Sequence, residues 1–194
     1  MGDPRRTRNK YSTPGHPWEK ERLEIEKKLM KEYGLVNKKE IWKVNSKLKN
    51  FKDNAKSLVA KTGDQAQLER KQLAEKLKSY GLVESDSLDE ILGLGLEQFL
   101  ERRLQTILVR KGLARSISQA RQMITHKHVT VNGKMVSSPG YLVTVKEEGA
   151  VQFYPGSKFN DEMHPERKLP EKAPGKPAEE PAKEEGKAEE AKAE

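Results

Sequence analysis

Lys111-Gly112-Leu113-Ala114-Arg115-Ser116-Ile117-Ser118-Gln119-Ala120-Arg121-Gln122-Met123-Ile124-Thr125-His126-Lys127-His128-Val129-Thr130-Val131-Asn132-Gly133-Lys134 is the most informative run in this 194-residue chain. Before it, Leu96, Phe99, Leu100, Leu104, Ile107 and Leu108 recur at helical spacing, which predicts a helix over 97–110 that Gly112 stops. Ser116 with Gln119 makes a capping-box pattern, and Ile117, Ala120, Met123 and Ile124 form the inward side of the helix it starts. The period then switches to two. Val129, Val131 and Met135 run through Asn132-Gly133, a pair that tolerates the left-handed backbone of a tight hairpin. Pro139-Gly140 turns the chain again, Tyr141, Val143 and Val145 alternate as a strand, and Glu147-Glu148-Gly149 turns into Val151 and Phe153. The expected class is α+β: a helix-turn-helix-like pair packed on a small antiparallel sheet, a module over 96–160.

The module is charged on one side only. From 100 to 146 it carries Arg102, Arg103, Arg110, Lys111, Arg115, Arg121, Lys127, Lys134 and Lys146 against Glu101 alone, +8 in 47 residues, as much as the whole chain. That density on so small a body draws polyanions. Lys111 and Arg115 flank the inter-helix turn beside the positive start of the second helix. A guanidinium there can grip phosphate with two hydrogen bonds or stack on a base. Ser116, Gln119, Gln122 and Asn132 offer uncharged donors for phosphate, ribose or base edges, the mixture structured RNA calls for. His126 and His128 stand at the helix–strand corner with no third metal ligand near in sequence, so RNA contact is the expectation and no metal or cofactor is.

Working toward the N-terminus, 65–80 reads as a helix with Asp64 and Gln67 as its capping box and Ala66, Leu73, Leu77 and Tyr80 as its apolar side. Ahead of it, Ile41, Val44, Leu48, Phe51, Ala55 and Leu58 form one apolar stripe with Asn37 as the cap. Lys38, Lys39, Lys43, Lys47, Lys49, Lys52 and Lys56 fill the remaining faces against Glu40 and Asp53, which favours contact with an anion. Residues 18–33 predict another helix, begun by Pro17 and stopped by Gly34. Residues 17–95 therefore form a helical domain. Residues 1–16, with Arg5, Arg6, Arg8 and Lys10, are either a loose terminus or, the preferred reading, an extended arm that orders on phosphate with Tyr11 and Trp18 available for stacking.

The tail over 161–194 is Lys/Glu/Pro/Ala-rich, with 11 acidic and 7 basic residues, and its composition predicts disorder. Residues 1–160 hold +12. The absence of cysteine removes disulfides, thiolate metal sites and cysteine nucleophiles. No apolar stretch follows the basic N-terminus and none is long enough to span a bilayer, so the expectation is a soluble cytoplasmic protein with no membrane contact.

The runs Leu100-Glu101-Arg102-Arg103-Leu104, Lys111 to Ser116, Gln119 to Gln122, Ile124, His126, His128-Val129, Val131 to Lys134 and Pro139 resemble the RNA-binding module named after ribosomal protein S four. Gly2 to Arg6, Tyr11, Pro14, His16-Pro17-Trp18, Glu21-Arg22, Tyr33-Gly34-Leu35, Asn37-Lys38, Glu40 and Trp42 are similar to the start of the archaeal and eukaryotic branch of that small-subunit ribosomal family. The resemblance implies a structural constituent of the small ribosomal subunit and a primary binder of rRNA at a multi-helix junction of the 5′ domain. It also implies a role in nucleating assembly, and an influence on translational accuracy beside proteins S five and S three, where messenger RNA enters the subunit.

The same module occurs in RNA-modifying enzymes, but Gly93-x-Gly95 lacks the third glycine of a phosphate loop and no nucleophile–His–acid set stands out. An accessory ribosome-associated RNA-binding factor using the same module is the alternative. A transcription factor would need a dimer seam, and none is visible.

Overall fold

The stripe from Ile41 to Leu58 makes the longest helix because its steps of three and four keep every apolar side chain on one face. A computed structural model describes residues 9–161, 164 and 165; Arg5, Arg6, Arg8 and the tail apart from Asp161, His164 and Pro165 lie outside them. Helices α1 (Lys20–Glu32), α2 (Lys38–Val59), α3 (Asp64–Ser79), α4 (Leu88–Gly93) and α5 (Leu96–Glu101) form the N-terminal lobe. Its core gathers Leu29, Ile41, Leu48, Leu58, Leu77, Ile91, Phe99 and Leu100. Each fully buried aliphatic side chain contributes on the order of 1.5–3 kcal/mol. Glu26 of α1 is buried, accepting hydrogen bonds from Arg22 at 2.5 Å and from the Trp42 indole at 3.1 Å, which ties α1 to α2.

Helices α6 (Leu104–Arg110) and α7 (Ile117–Thr125) then pack on strands β1 (Val129–Val131), β2 (Lys134–Met135) and β3 (Val151–Phe153), in sheet order β2-β1-β3 with both pairings antiparallel. This is the expected α+β class. Asn132 and Gly133 both take positive φ, 50° and 76°, as the hairpin requires. Between β2 and β3 lies α8 (Val145–Glu148). The second core joins Leu104, Leu108, Ala120, Ile124, Val129, Val143 and Phe153. The two cores part between Leu100 and Leu104.

Several local expectations are corrected. The helix read over 97–110 is two helices, broken at Arg102-Arg103. Arg103 takes an extended backbone (φ −73°, ψ 142°) and bridges Leu142 in antiparallel fashion, while the N–H of Leu104 donates to the carbonyl of Tyr141 and that of Val143 to the carbonyl of Arg102. The continuous heptad-like spacing hid a break made by residues some forty positions away. The strand expected through Val145 ends early because Thr144 caps α8: its Oγ1 accepts from the N–H of Glu147 at 3.3 Å, and Glu147 returns a carboxylate to the N–H of Thr144 at 3.0 Å. The capping box at Asp64 does not form; Gly63 stands at the N-cap instead. Tyr11 is half-buried, its ring 6.0 Å from that of Trp42. Trp18 is exposed.

Candidate nucleic-acid interface

Where the lobes meet, Glu40 on α2 organises the cations around it. Its carboxylate accepts from Arg103 at 2.6 Å and from Arg121 on α7 at 2.7 Å and 3.2 Å. Arg103 is buried and Arg121 half-buried. Burial pushes the Glu40 pKa upward, yet the hydrogen bonds and charges of Arg121 and Arg103 outweigh it, and the carboxyl sits below its ordinary range. A second joint lies nearby. The Gln105 side-chain amide donates to Gly34 of the N-terminal lobe at 3.2 Å and to Ile117 of the module at 2.9 Å.

Beside this pair opens a cleft of about 340 Å³, lined by Lys10, Lys43, Val44, Lys47, Arg103, Arg121, Glu40 and the 138–140 loop. Five cations therefore face one carboxylate already taken by two arginines. Lys10, Lys43 and Lys47 make no ion pair among the described residues. The Lys47 pKa is held low by burial and then by its neighbours Lys10, Arg103 and Lys43. Like charges crowded in this way are relieved by a bound anion, and phosphate is the anion that fits a row of lysines and guanidiniums.

The other sequence-predicted residues among those described fall into four groups. Arg102, Arg110 and Lys111 are engaged within the fold: Arg102 donates to Glu148 at 2.9 Å, Arg110 pairs with Glu101 at 3.1 Å, and Lys111 donates to the Glu148 carbonyl. Arg115, Ser116 and Gln119 stand at the start of α7. There Ser116 Oγ accepts from the N–H of Gln119 at 3.2 Å, and Gln119 accepts from the N–H of Arg115 at 2.8 Å. The Arg115 guanidinium donates to the Pro165 carbonyl. Gln122, His126, Lys127 and His128 cluster at the end of α7, with Lys127 at φ 63°, and Asn132 and Lys134 lie at the exposed hairpin tip.

Sequence reasoning missed Glu40 as the organiser, although one of only two acids among seven lysines was a visible signal. It also missed Ser138, Pro139 and Gly140 as a wall of the cleft, and Phe159 beside His128, for which no local pattern gave notice. Among the described residues no group of three His, Asp or Glu side chains is placed to hold a metal ion, and no helix is long and apolar enough to cross a membrane.

The S4 domain family matches residues 102–148, beginning where the two cores part. Proteins named small ribosomal subunit protein uS4 from Methanococcus maripaludis strains C5, C6 and C7 are 52%, 50% and 50% identical over 169 residues, a span of 86% of this chain and 95% of each relative.

Proposed function

Because the chain belongs to the small ribosomal subunit protein uS4 family, a structural and non-enzymatic one, we propose that it is an rRNA-binding constituent of the small ribosomal subunit. In this reading it binds a multi-helix junction of the 5′ domain. The observation that carries the reading is the inter-lobe cleft, where Lys10, Lys43 and Lys47 lack ion pairs among the described residues and face Arg103 and Arg121. A phosphate seated there touches the helical domain and the module together, so one RNA backbone spans both grips. Arg115, Lys127 and Lys134, exposed along the module, extend the contact to further phosphates.

Two-handed binding of this kind supports an early role, in which the protein holds a junction in shape for later proteins and so nucleates assembly. Neighbours on this reading are proteins S five and S three of the same subunit, close to where messenger RNA enters, with a contribution to translational accuracy. The location is cytoplasmic, within the subunit.

Sucrose-gradient fractionation of native extract, repeated after a high-salt wash and quantified against rRNA, tests the reading. One copy per small subunit retained through the wash is the expected result. Substoichiometric material released by salt identifies an accessory factor instead, and protein found only at the top of the gradient overturns ribosomal membership.

A further inference from the structure

A second recess differs in chemistry from the cationic cleft. It measures about 280 Å³ and is lined by Gln119, Gln122, Met123, His126, His128 and Phe159, with no lysine, arginine or carboxylate in its wall among the described residues. Its aromatic side is fixed in place. His128 Nδ1 is hydrogen-bonded to Ser157 Oγ at 2.9 Å, and the Phe159 ring stands edge-on to His128 at 5.0 Å and 76°. Phe159 also packs against His164 at 4.8 Å and Phe153 at 6.3 Å, and Arg115 fastens the same segment through the Pro165 carbonyl. The His126 ring lies 6.4 Å from that of His128.

The polar side is amide. Gln119 spends its carbonyl oxygen on the N–H of Arg115 at 2.8 Å, which leaves its NH₂ as a donor. The Gln122 side chain is exposed and has no hydrogen-bond partner among the described residues, so it presents a donor and an acceptor. Lys127 and Lys158, each next in the chain to a lining ring, are exposed and supply charge for flanking phosphates. A wall of rings with two amides, and no cation among the described residues that line it, suits a planar heterocycle far better than a bare phosphate.

We propose that this recess receives one unpaired nucleobase of a structured RNA, stacked against the His126–His128–Phe159 wall and read at its edge by Gln119 and Gln122. The proposal rests on the RNA-binding reading above and adds a base contact to what the cleft supplies through phosphate. Preformed walls lower the ordering cost of such a contact.

The test uses the full chain and a transcribed 5′ domain of small-subunit rRNA, with Gln122→Ala and Phe159→Leu compared to wild type by filter binding over a potassium chloride series. Both changes remove no charge, so the slope of log K against log salt stays as in wild type. Gln122→Ala weakens binding about 2- to 12-fold, the range of one lost hydrogen bond. Phe159→Leu weakens it about 5-fold or more through lost stacking. In 2′-hydroxyl acylation, one unpaired nucleotide held by the wild-type protein becomes reactive in both complexes. Gln122 is exposed, so that variant keeps its fold even if Phe159→Leu does not, and circular dichroism checks both. Wild-type affinity and an unchanged acylation pattern for folded Gln122→Ala overturn the recess while leaving RNA binding intact. A defect seen only when other ribosomal proteins are added assigns the recess to a protein side chain and also overturns it. Failure of the wild-type protein to bind the RNA at all removes the underlying reading, and this one with it.

Discussion

The Glu40 carboxylate and the buried Arg103 guanidinium meet at 2.6 Å across 63 residues of chain, one from each lobe. With Arg121 as the second partner, Glu40 ties the two lobes together and turns the backbone break at Arg103 into a joint.

Removing that carboxylate strands a buried cation. Glu40→Ala lowers stability by about 3–5 kcal/mol, the usual cost of leaving one member of a buried pair alone. Chemical denaturation at neutral pH measures it. Arg103→Met, which takes the buried charge away as well, costs less than Glu40→Ala.

The same pair predicts a pH dependence. Glu40 has a folded pKa below its unfolded one, so its contribution is fully present above the ordinary carboxylate range and is lost as pH falls through the depressed folded value. Wild-type stability therefore declines on acidification in that window more steeply than that of Glu40→Gln. Parallel pH profiles for the two proteins refute the assignment.

Gly34 and Gly133 separate backbone strain from steric fit. Both have positive φ, 56° and 76°, but a Cβ on Gly34 meets Ile117 Cγ2 at 2.6 Å and Gln105 Nε2 at 3.0 Å, whereas one on Gly133 meets nothing within 4 Å. Gly133→Ala costs about 1–2 kcal/mol from the left-handed backbone alone. Gly34→Ala costs more, since it also pries the lobes apart. Thermal unfolding of the two variants gives the order.

For the RNA contact, Lys43→Ala and Lys47→Ala each weaken rRNA binding and reduce the salt slope by about 0.7–0.9, one phosphate contact apiece. Arg115→Ala weakens binding without unfolding the protein, because its side chain is exposed and lies outside both cores. Unchanged affinity at matched stability counts against that placement.

What was legible in the sequence was local. The α2 stripe and the Asn132-Gly133 hairpin each follow from neighbours within a few residues, and both formed as expected. The α5–α6 break was not legible, since Leu100 and Leu104 keep helical spacing while the break is made by pairing with Leu142. At Val145 two local signals competed. Alternation through Tyr141 and Val143 favoured a strand, but the Thr144–Glu147 capping box, equally visible, prevailed. The cleft draws on residues 10, 40–47, 103, 121 and 138–140, a grouping that only the folded lobes create.

The parting of the cores between Leu100 and Leu104 also orders events during synthesis. Among the described residues, every buried member of the first core precedes residue 101, and only the partly buried Leu142 arrives late. A nascent chain emerging N-terminus first can thus close its helical lobe before the module exists, as domains commonly do. The cleft closes after the lobe, because Arg121 and the 138–140 loop must follow Glu40 by some eighty to a hundred residues. A chain stalled before α7 carries a finished lobe and four of the five cations of its anion site, but neither Arg121 nor the 138–140 wall that completes it.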